Sequence, residues 1–293
     1  MNRLVAIAFA FLCAASAQGQ IQVELKFKRV QYIAYEPIIA TVEITNLAGR
    51  EIELRDDAGQ RWFSFEITAD EGRFLPRLSS EPEPPLKIEV GQTVTRRINI
   101  TPLYPIHDLG PYHARAHVFF ADLNRFFYSQ TKVFHVIDAR PFWQRTVGVP
   151  DGVAGAGGLR TFSLLSNRFP NHTSLYVRVE DKSTGAVYNT FSLGRAIAFG
   201  EPQAELDRAN RLHVLHCAAP RTWSYAQIGL NGELLNRATY METKSRPQLR
   251  RAPDGAVAIK GGMLDAPVAS KPNQPAKLSA RPAAAPAASP ADE

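Results

Sequence analysis

Polar and apolar positions alternate along the first half of the chain at the period of a strand. Ile21-Gln22-Val23-Glu24-Leu25-Lys26-Phe27 alternates without a break, the pattern of a strand with one buried face. Ile38–Ile44 is rich in β-branched residues and runs into Asn46. Trp62–Thr68 puts Phe63, Phe65 and Ile67 on one face. Leu86–Val90, Val94–Ile100, Tyr112–Phe120 and Phe126–Ile137 follow, with turn residues between them. About eight strands at this spacing predict a β-sandwich, and no stretch holds a helical period.

Asp138-Ala139-Arg140-Pro141 ends the first half. Five glycines and one proline fall within 148–158, so residues 141–160 are expected to form a Gly-rich linker. Beyond it the rhythm changes. Leu175–Glu180, Val187–Leu193, Leu206–Cys217 and Tyr225–Leu230 read as strands, and Asn231-Gly232 is a strong hairpin signal. Pro253-Asp254-Gly255 turns into Val257-Ala258-Ile259. Residues 263–293 are mostly Ala, Pro and Ser and are expected to be a disordered tail. The expected fold class is all-β: a sandwich over 18–140, a second antiparallel domain over 161–262, and the tail.

The first residues have a different character. Arg3 precedes an uncharged apolar run, Leu4–Ala15, and Ala15-Ser16-Ala17 supplies small residues for cleavage. Residues 1–17 therefore read as a signal peptide, and the run is too short for the ~20 residues of a membrane span. Bulky Phe11 and Leu12 before Cys13 argue against a lipid anchor. The expected location is periplasmic or extracellular, with no transmembrane segment after cleavage. Cys217 is then the one cysteine left, so the mature chain has no internal disulfide and depends on its core.

Three phrases in order, Tyr35-Glu36-Pro37 before a strand ending at Asn46, Gly91-Gln92-Thr93 before a strand, and Gly110-Pro111-Tyr112 opening a strand, are similar to immunoglobulin-like domains of bacterial exported proteins, including a proteinase-inhibitor type. That resemblance implies a fold and carries no activity. In the second half, Pro202-Gln203…Leu206 is echoed 43 residues later by Pro247-Gln248-Leu249. The strand, Asn-Gly turn, strand phrasing resembles blades of β-propellers, with too few units to close a ring of at least ~4 blades.

Charge separates the halves. Residues 21–140 hold 15 Lys and Arg against 16 Asp and Glu, whereas 141–263 hold 15 against 9. The basic half suits an anionic glycan, a membrane surface or a cell-wall polymer, and export argues against nucleic acid; the expected partner is a protein or a glycan. Arg221, Trp223, Arg246, Arg250 and Arg251 are the candidate ligand contacts, Trp223 because Pro220-Arg221-Thr222 reads as an exposed loop.

Catalytic chemistry finds little footing. His113 and His117 share a strand face with Arg115, and His107 and His135 lie near in sequence, but no Cys or acidic cluster joins them as a metal site requires. They remain weak metal candidates, and no cofactor is expected. His213 and His216 fall on opposite strand faces, and Cys217 sits among apolar neighbours that favour an inert thiol. Asp56-Asp57, Glu81 and Glu83 lie in turn or Pro-rich surroundings and are expected to face solvent. Asn171-His172-Thr173 matches a glycosylation acceptor. The sequence points to a non-catalytic binding or structural protein of the cell envelope; the alternatives are a protease inhibitor or hydrolytic enzyme, and a subunit of a larger propeller or envelope assembly.

Overall fold

The computed structural model describes residues 20–79, 81–197 and 200–265. The expected signal peptide and almost all of the expected tail lie outside these residues. The protein is all-β, built from several antiparallel sheets. Its strands are β1 (Ile21–Phe27), β2 (Gln31–Ile33), β3 (Ile39–Asn46), β4 (Ile52–Leu54), β5 (Phe63–Thr68), β6 (Leu86–Ile88), β7 (Thr93–Asn99), β8 (Gly110–Phe120), β9 (Arg125–Tyr128) and β10 (Lys132–Ile137). They continue as β11 (Pro141–Gly148), β12 (Leu159–Phe169), β13 (His172–Asp181), β14 (Val187–Ala196), β15 (Gln203–Leu206), β16 (Leu212–Ala219), β17 (Thr222–Ile228), β18 (Leu234–Met241), β19 (Gln248–Arg251), β20 (Val257–Lys260) and β21 (Met263–Leu264).

The chain divides into two compact units, and the division does not follow chain order. Among the described residues, 20–30, 39–98 and 111–134 form the first. Of the same residues, Gln31–Ile38, Asn99–Gly110 and 135–265 form the second.

In the first unit, β1-β3-β7 make one sheet and β10-β8-β5 another, with β9 hydrogen-bonded to β8 and a short β4-β6 pair besides. The alternation read from the sequence is the alternation of burial. Ile21, Val23 and Leu25 are buried on β1, and Val42 and Ile44 on β3. On the second sheet Phe63, Phe65 and Ile67 pair with Val118, Ala116 and Ala114, so large rings sit opposite small side chains. Phe134 stacks on Tyr112 at 5.1–5.3 Å from its aromatic neighbours, Phe27 being the other. Where one long strand was expected over 126–137, Ser129 breaks it: the Ser129 hydroxyl bonds Ala116 N–H and the Gln130 carbonyl, separating β9 from β10.

In the second unit, β11-β12-β13-β14 and β15-β16-β17-β18-β21 are meanders whose strands follow in chain order, and β19-β20 is a separate hairpin. Phe162, Leu164, Leu175, Val177, Val179 and Leu193 from one meander pack with Leu212, Val214, Ala226 and Ile228 from the other. A smaller cluster joins Leu215, Cys217, Trp223, Tyr225 and Leu249. Parallel pairing of β2 with His135–Ile137 belongs to this unit too, and Ile33 and Ala139 pack there on Leu165 and Tyr176.

The expected linker needs correction. Pro141–Gly148 is a strand in register with β12, because Trp143 and Val147 are drawn into the core. Only 149–158 is loop, closed by Val149 N–H to the Gly158 carbonyl at 2.8 Å and Gly157 N–H to the Val149 carbonyl at 3.1 Å. The expected strand 206–217 is likewise two strands. Asp207 Oδ1 accepts from the Ala209 and Arg211 N–H groups, both at 2.9 Å, and turns the chain between β15 and β16. The internal sequence echo falls on two hairpins, β15–β16 and β19–β20.

Candidate functional site

The sequence-predicted contacts separate into two groups in the second unit. Arg221, Trp223 and Arg246 meet around Glu242, at the end of the β17–β18 pair. Arg221 follows the turn at Pro220 with a left-handed φ of 59°. Its Nε and Nη2 donate to the Glu242 carbonyl at 3.3 and 3.1 Å, and Glu242 N–H donates back to the Arg221 carbonyl at 2.7 Å. Trp223 does not lie in the exposed loop that the sequence suggested. The strand begins at Thr222, which turns the indole inward to 2 % exposure, and its Nε1–H donates to Glu242 Oε2 at 3.1 Å. The guanidinium of Arg246 lies over the indole at 5.3 Å, and its Nε is 3.7 Å from Glu242 Oε2, with 48 % of the side chain exposed. The Glu242 carboxylate thus serves Trp223 and Arg246 while its backbone carbonyl serves Arg221, so two guanidiniums gather at one acidic residue, and the tryptophan is the floor for Arg246 rather than for a ligand. Arg250 and Arg251 stand apart on the β19–β20 hairpin. Both are exposed, and Arg250 Nη2 donates to Gln248 Oε1.

Beside the Glu242 group opens a cavity of about 430 Å³ in which the apolar side chains Phe142, Leu175, Ala196 and Pro202 meet Glu201, His216 and Cys217. A Cβ placed on Gly200, which also lines the cavity, would lie 3.9 Å from Arg246 Nη1, so the arginine reaches its rim. Such volumes are those of small-molecule sites.

The two residues with chemistry at this cavity are quiet. Burial pushes the His216 imidazole down to about 4, against the opposing hydrogen bond to Arg195. Nε2–H donates to the Arg195 carbonyl at 3.1 Å, which leaves Nδ1 as a buried acceptor without a protein partner. Burial also raises the Cys217 thiol; Arg246 opposes this and Glu242 adds to it. The S–H donates to the Ala219 carbonyl at 3.2 Å, so the sulfur rests as a thiol, a poor nucleophile.

A second buried polar group was only half legible. His213 was expected on the face opposite His216, with no partner named for it; its Nε2 lies 3.3 Å from Asp207 Oδ2 and its Nδ1 2.8 Å from the Tyr225 hydroxyl. A carboxylate only accepts, so Nε2 carries the proton and the tyrosine donates to Nδ1. Burial pulls the Asp207 carboxyl upward, yet hydrogen bonds from the Arg211 backbone, His213 and the Arg211 side chain outweigh it and hold it low. Burial raises the Tyr225 phenol to about 12. Asp207, His213 and Tyr225 are 4–8 % exposed and line neither described cavity, so the trio braces the β15–β17 sheet. The Asp207-x-x-x-Arg211-x-His213 spacing, an acid at a turn before a strand, was the signal for it.

In the first unit, His113 is exposed and His117 is mostly buried, 4.0 Å from Glu66 and ringed by Phe126 and Tyr128. Burial holds His117 below the usual imidazole value, against the charge of Glu66. No group of three or more His, Cys, Asp or Glu placed to hold a metal ion occurs among the described residues. Glu83 does not face solvent as expected: it accepts from Arg77 at 3.0 Å and Arg96 at 2.7 Å, and Arg96 lies over Trp62 and Phe63. Asp56 accepts from the Trp62 N–H at 2.9 Å. Asn171 is exposed in the β12–β13 turn, where an acceptor site requires it. No described helix is long and apolar enough to cross a membrane. In comparisons with known proteins, no family model, curated protein or solved structure matches this chain.

Proposed function

We propose that the chain is an exported, non-catalytic binding protein of the cell envelope, in which an immunoglobulin-like first unit acts as spacer and the second unit grips an anionic ligand, such as an acidic glycan end. One observation carries this reading. Arg246 is half exposed at the rim of the cavity, its guanidinium over a buried tryptophan at 5.3 Å, and Arg221 adds a second cation on the backbone carbonyl of the same Glu242. A guanidinium fixed in one orientation loses little freedom on meeting a carboxylate or sulfate, and its fork geometry favours planar anions. The cavity offers an apolar wall, from Phe142, Leu175, Ala196 and Pro202, for the ligand body.

The absence of catalysis in this reading rests on chemistry. A neutral imidazole tied to a carbonyl at Nε2 and a thiol raised by burial are poor general-base and nucleophile material near neutral pH. The sheets β1-β3-β7 and β10-β8-β5 support the immunoglobulin-like assignment of the first unit.

The test is retention on an immobilised hexuronic-acid oligosaccharide as salt is raised. Retention is expected to fall with salt, to fall again in Arg221→Ala/Arg246→Ala, and to change less in Arg250→Ala/Arg251→Ala, whose side chains stand apart from the cavity. Retention unchanged by salt and by both double variants would sink the proposal.

A further inference from the structure

Among the described residues, strand β1 stands at the end of its sheet and pairs with β3 alone. Edge strands in monomeric proteins are commonly short, bulged, or interrupted by proline. This one runs seven residues without proline or glycine, in unbroken register with β3 from Ile21↔Asn46 to Phe27↔Ala40. A groove of about 740 Å³ follows its outer side, with Leu47, Tyr128, Gln130 and Lys132 of the same unit along it.

The direction of the backbone groups can be worked out. Leu47 N–H donates to the Gln20 carbonyl at 2.8 Å, and the register continues as Gln22↔Thr45, Glu24↔Glu43 and Lys26↔Thr41. Hydrogen-bonded residues alternate along an antiparallel pair. Gln22, Glu24 and Lys26 therefore bond β3, and Val23, Leu25 and Phe27 turn their N–H and C=O groups outward.

A second copy of β1, laid antiparallel along this edge, finds one register that satisfies both the hydrogen bonds and the charges. With Leu25 opposite Leu25, Val23 faces Phe27, and these outward-directed residues exchange backbone bonds. In the same register each Glu24 stands opposite a Lys26 of the other copy, in the closer, non-hydrogen-bonded position. The local charge is compatible with this. Within one chain Glu24 lies opposite Glu43, and both share Lys26, at 3.3 and 2.7 Å. Glu24 also accepts from Gln22 Nε2–H at 2.9 Å, and a lysine from the second copy would add to the cation that two glutamates now share.

We propose that the protein self-associates through β1, forming a two-fold antiparallel β1–β1 ladder centred on Leu25. The inference is independent of the ligand proposed for the second unit. A five-residue ladder is a small interface, so association is expected in the range of about 1 μM to 1 mM.

Sedimentation equilibrium over that range, on the full chain, tests it. Wild type is expected to reach dimer. Glu24→Lys places lysines opposite lysines and Lys26→Glu places glutamates opposite glutamates, so each is expected to weaken self-association at least about tenfold. Mixing the two variants restores both opposite-charge pairs, and the mixture is expected to form a heterodimer. The double variant Glu24→Lys/Lys26→Glu is expected to self-associate like wild type. Circular dichroism confirms that each variant keeps its strands. A wild type that stays monomeric at the highest concentration overturns the proposal. So does a dimer that Glu24→Lys leaves unchanged, or a pair of variants that do not rescue one another.

Discussion

Asn46 closes the first unit at one point, and its replacement gives the sharpest test of that unit's architecture. The side chain is fully buried at the end of β3. Its Nδ2 donates to the carbonyls of Arg50 at 2.7 Å, Ile88 at 2.9 Å and Glu89 at 3.1 Å, while Oδ1 accepts from Ala48 N–H at 2.8 Å. An amide has two hydrogens, so three carbonyls share two donated bonds, and the accepted bond makes three in all. At about 1 kcal/mol net for each, Asn46→Ala is expected to cost about 3 kcal/mol, because the partners stay buried and unpaired. With a urea slope of about 1–3 kcal/mol/M, the midpoint of the transition should fall by about 1–3 M. Amide exchange on β3 and the 88–92 turn should quicken on the order of a hundredfold, if opening there follows the same loss.

Asn46→Asp sharpens the test, since it keeps Oδ1 and replaces only the donor. The ionised acid would face three carbonyls, so its folded-state value is expected to lie above the ordinary ~3.9. A folded value above the unfolded one means stability that is present below about pH 3.9 and lost as pH rises through the folded value. Relative to Asn46→Ala, the aspartate variant should therefore be the more stable near pH 3.5 and the less stable at pH 7. A midpoint for Asn46→Ala within about 1 kcal/mol of wild type, or an aspartate variant without that crossover, would refute the reasoning.

Other expectations follow from single groups. His216, at about 4 when folded against ~6.5 unfolded, contributes stability that is present above pH 6.5 and lost as pH falls toward 4, about 3 kcal/mol in all; the gap between urea midpoints at pH 7.5 and 4.5 should be smaller in His216→Gln than in wild type, with His117 and His213, which burial also holds low, contributing to the remainder. Cys217 should react with a maleimide at pH 8 at least about tenfold more slowly in the native protein than in denaturant, and equal rates would contradict its burial. Gly232 has a φ of 80°, and a Cβ there would fall 2.6 Å from Asn189 Cβ. Gly232→Ala is expected to cost at least about 2 kcal/mol, from left-handed strain and from displacement of the Asn189 bond to the Gly232 carbonyl, read as a lowered midpoint.

What the sequence made legible divides along a physical line. Period-two alternation reports which face of one strand is buried, since one-sided burial is a local property of the pleat. It was right along β5, over Ile21–Lys26 of β1 and from Tyr112 to Val118 of β8, and failed where Phe119 and Phe120 are both buried at the end of β8. The same signal is silent about what a strand packs against. Trp223 shows the consequence: its neighbours Arg221 and Thr222 are polar and suggested an exposed ring, but strand β17 turns the indole onto the Leu215, Cys217 and Leu249 cluster. Glycine misled in the other direction. Five glycines marked 148–158 as loose, yet Trp143 and Val147 before them carry enough apolar surface to make β11 a full member of the sheet. The candidate site was legible only as residue types. Arg221, Trp223 and Arg246 are brought together by Glu242, an acid to which the sequence assigned no role, because a carboxylate that accepts an indole N–H and a guanidinium at once is a property of three chain segments. The cavity next to it draws on β11, β12, β13, β14 and β16. No local pattern encodes such a convergence, and that is why the function of this chain has to be argued from the second unit's geometry and not from its motifs.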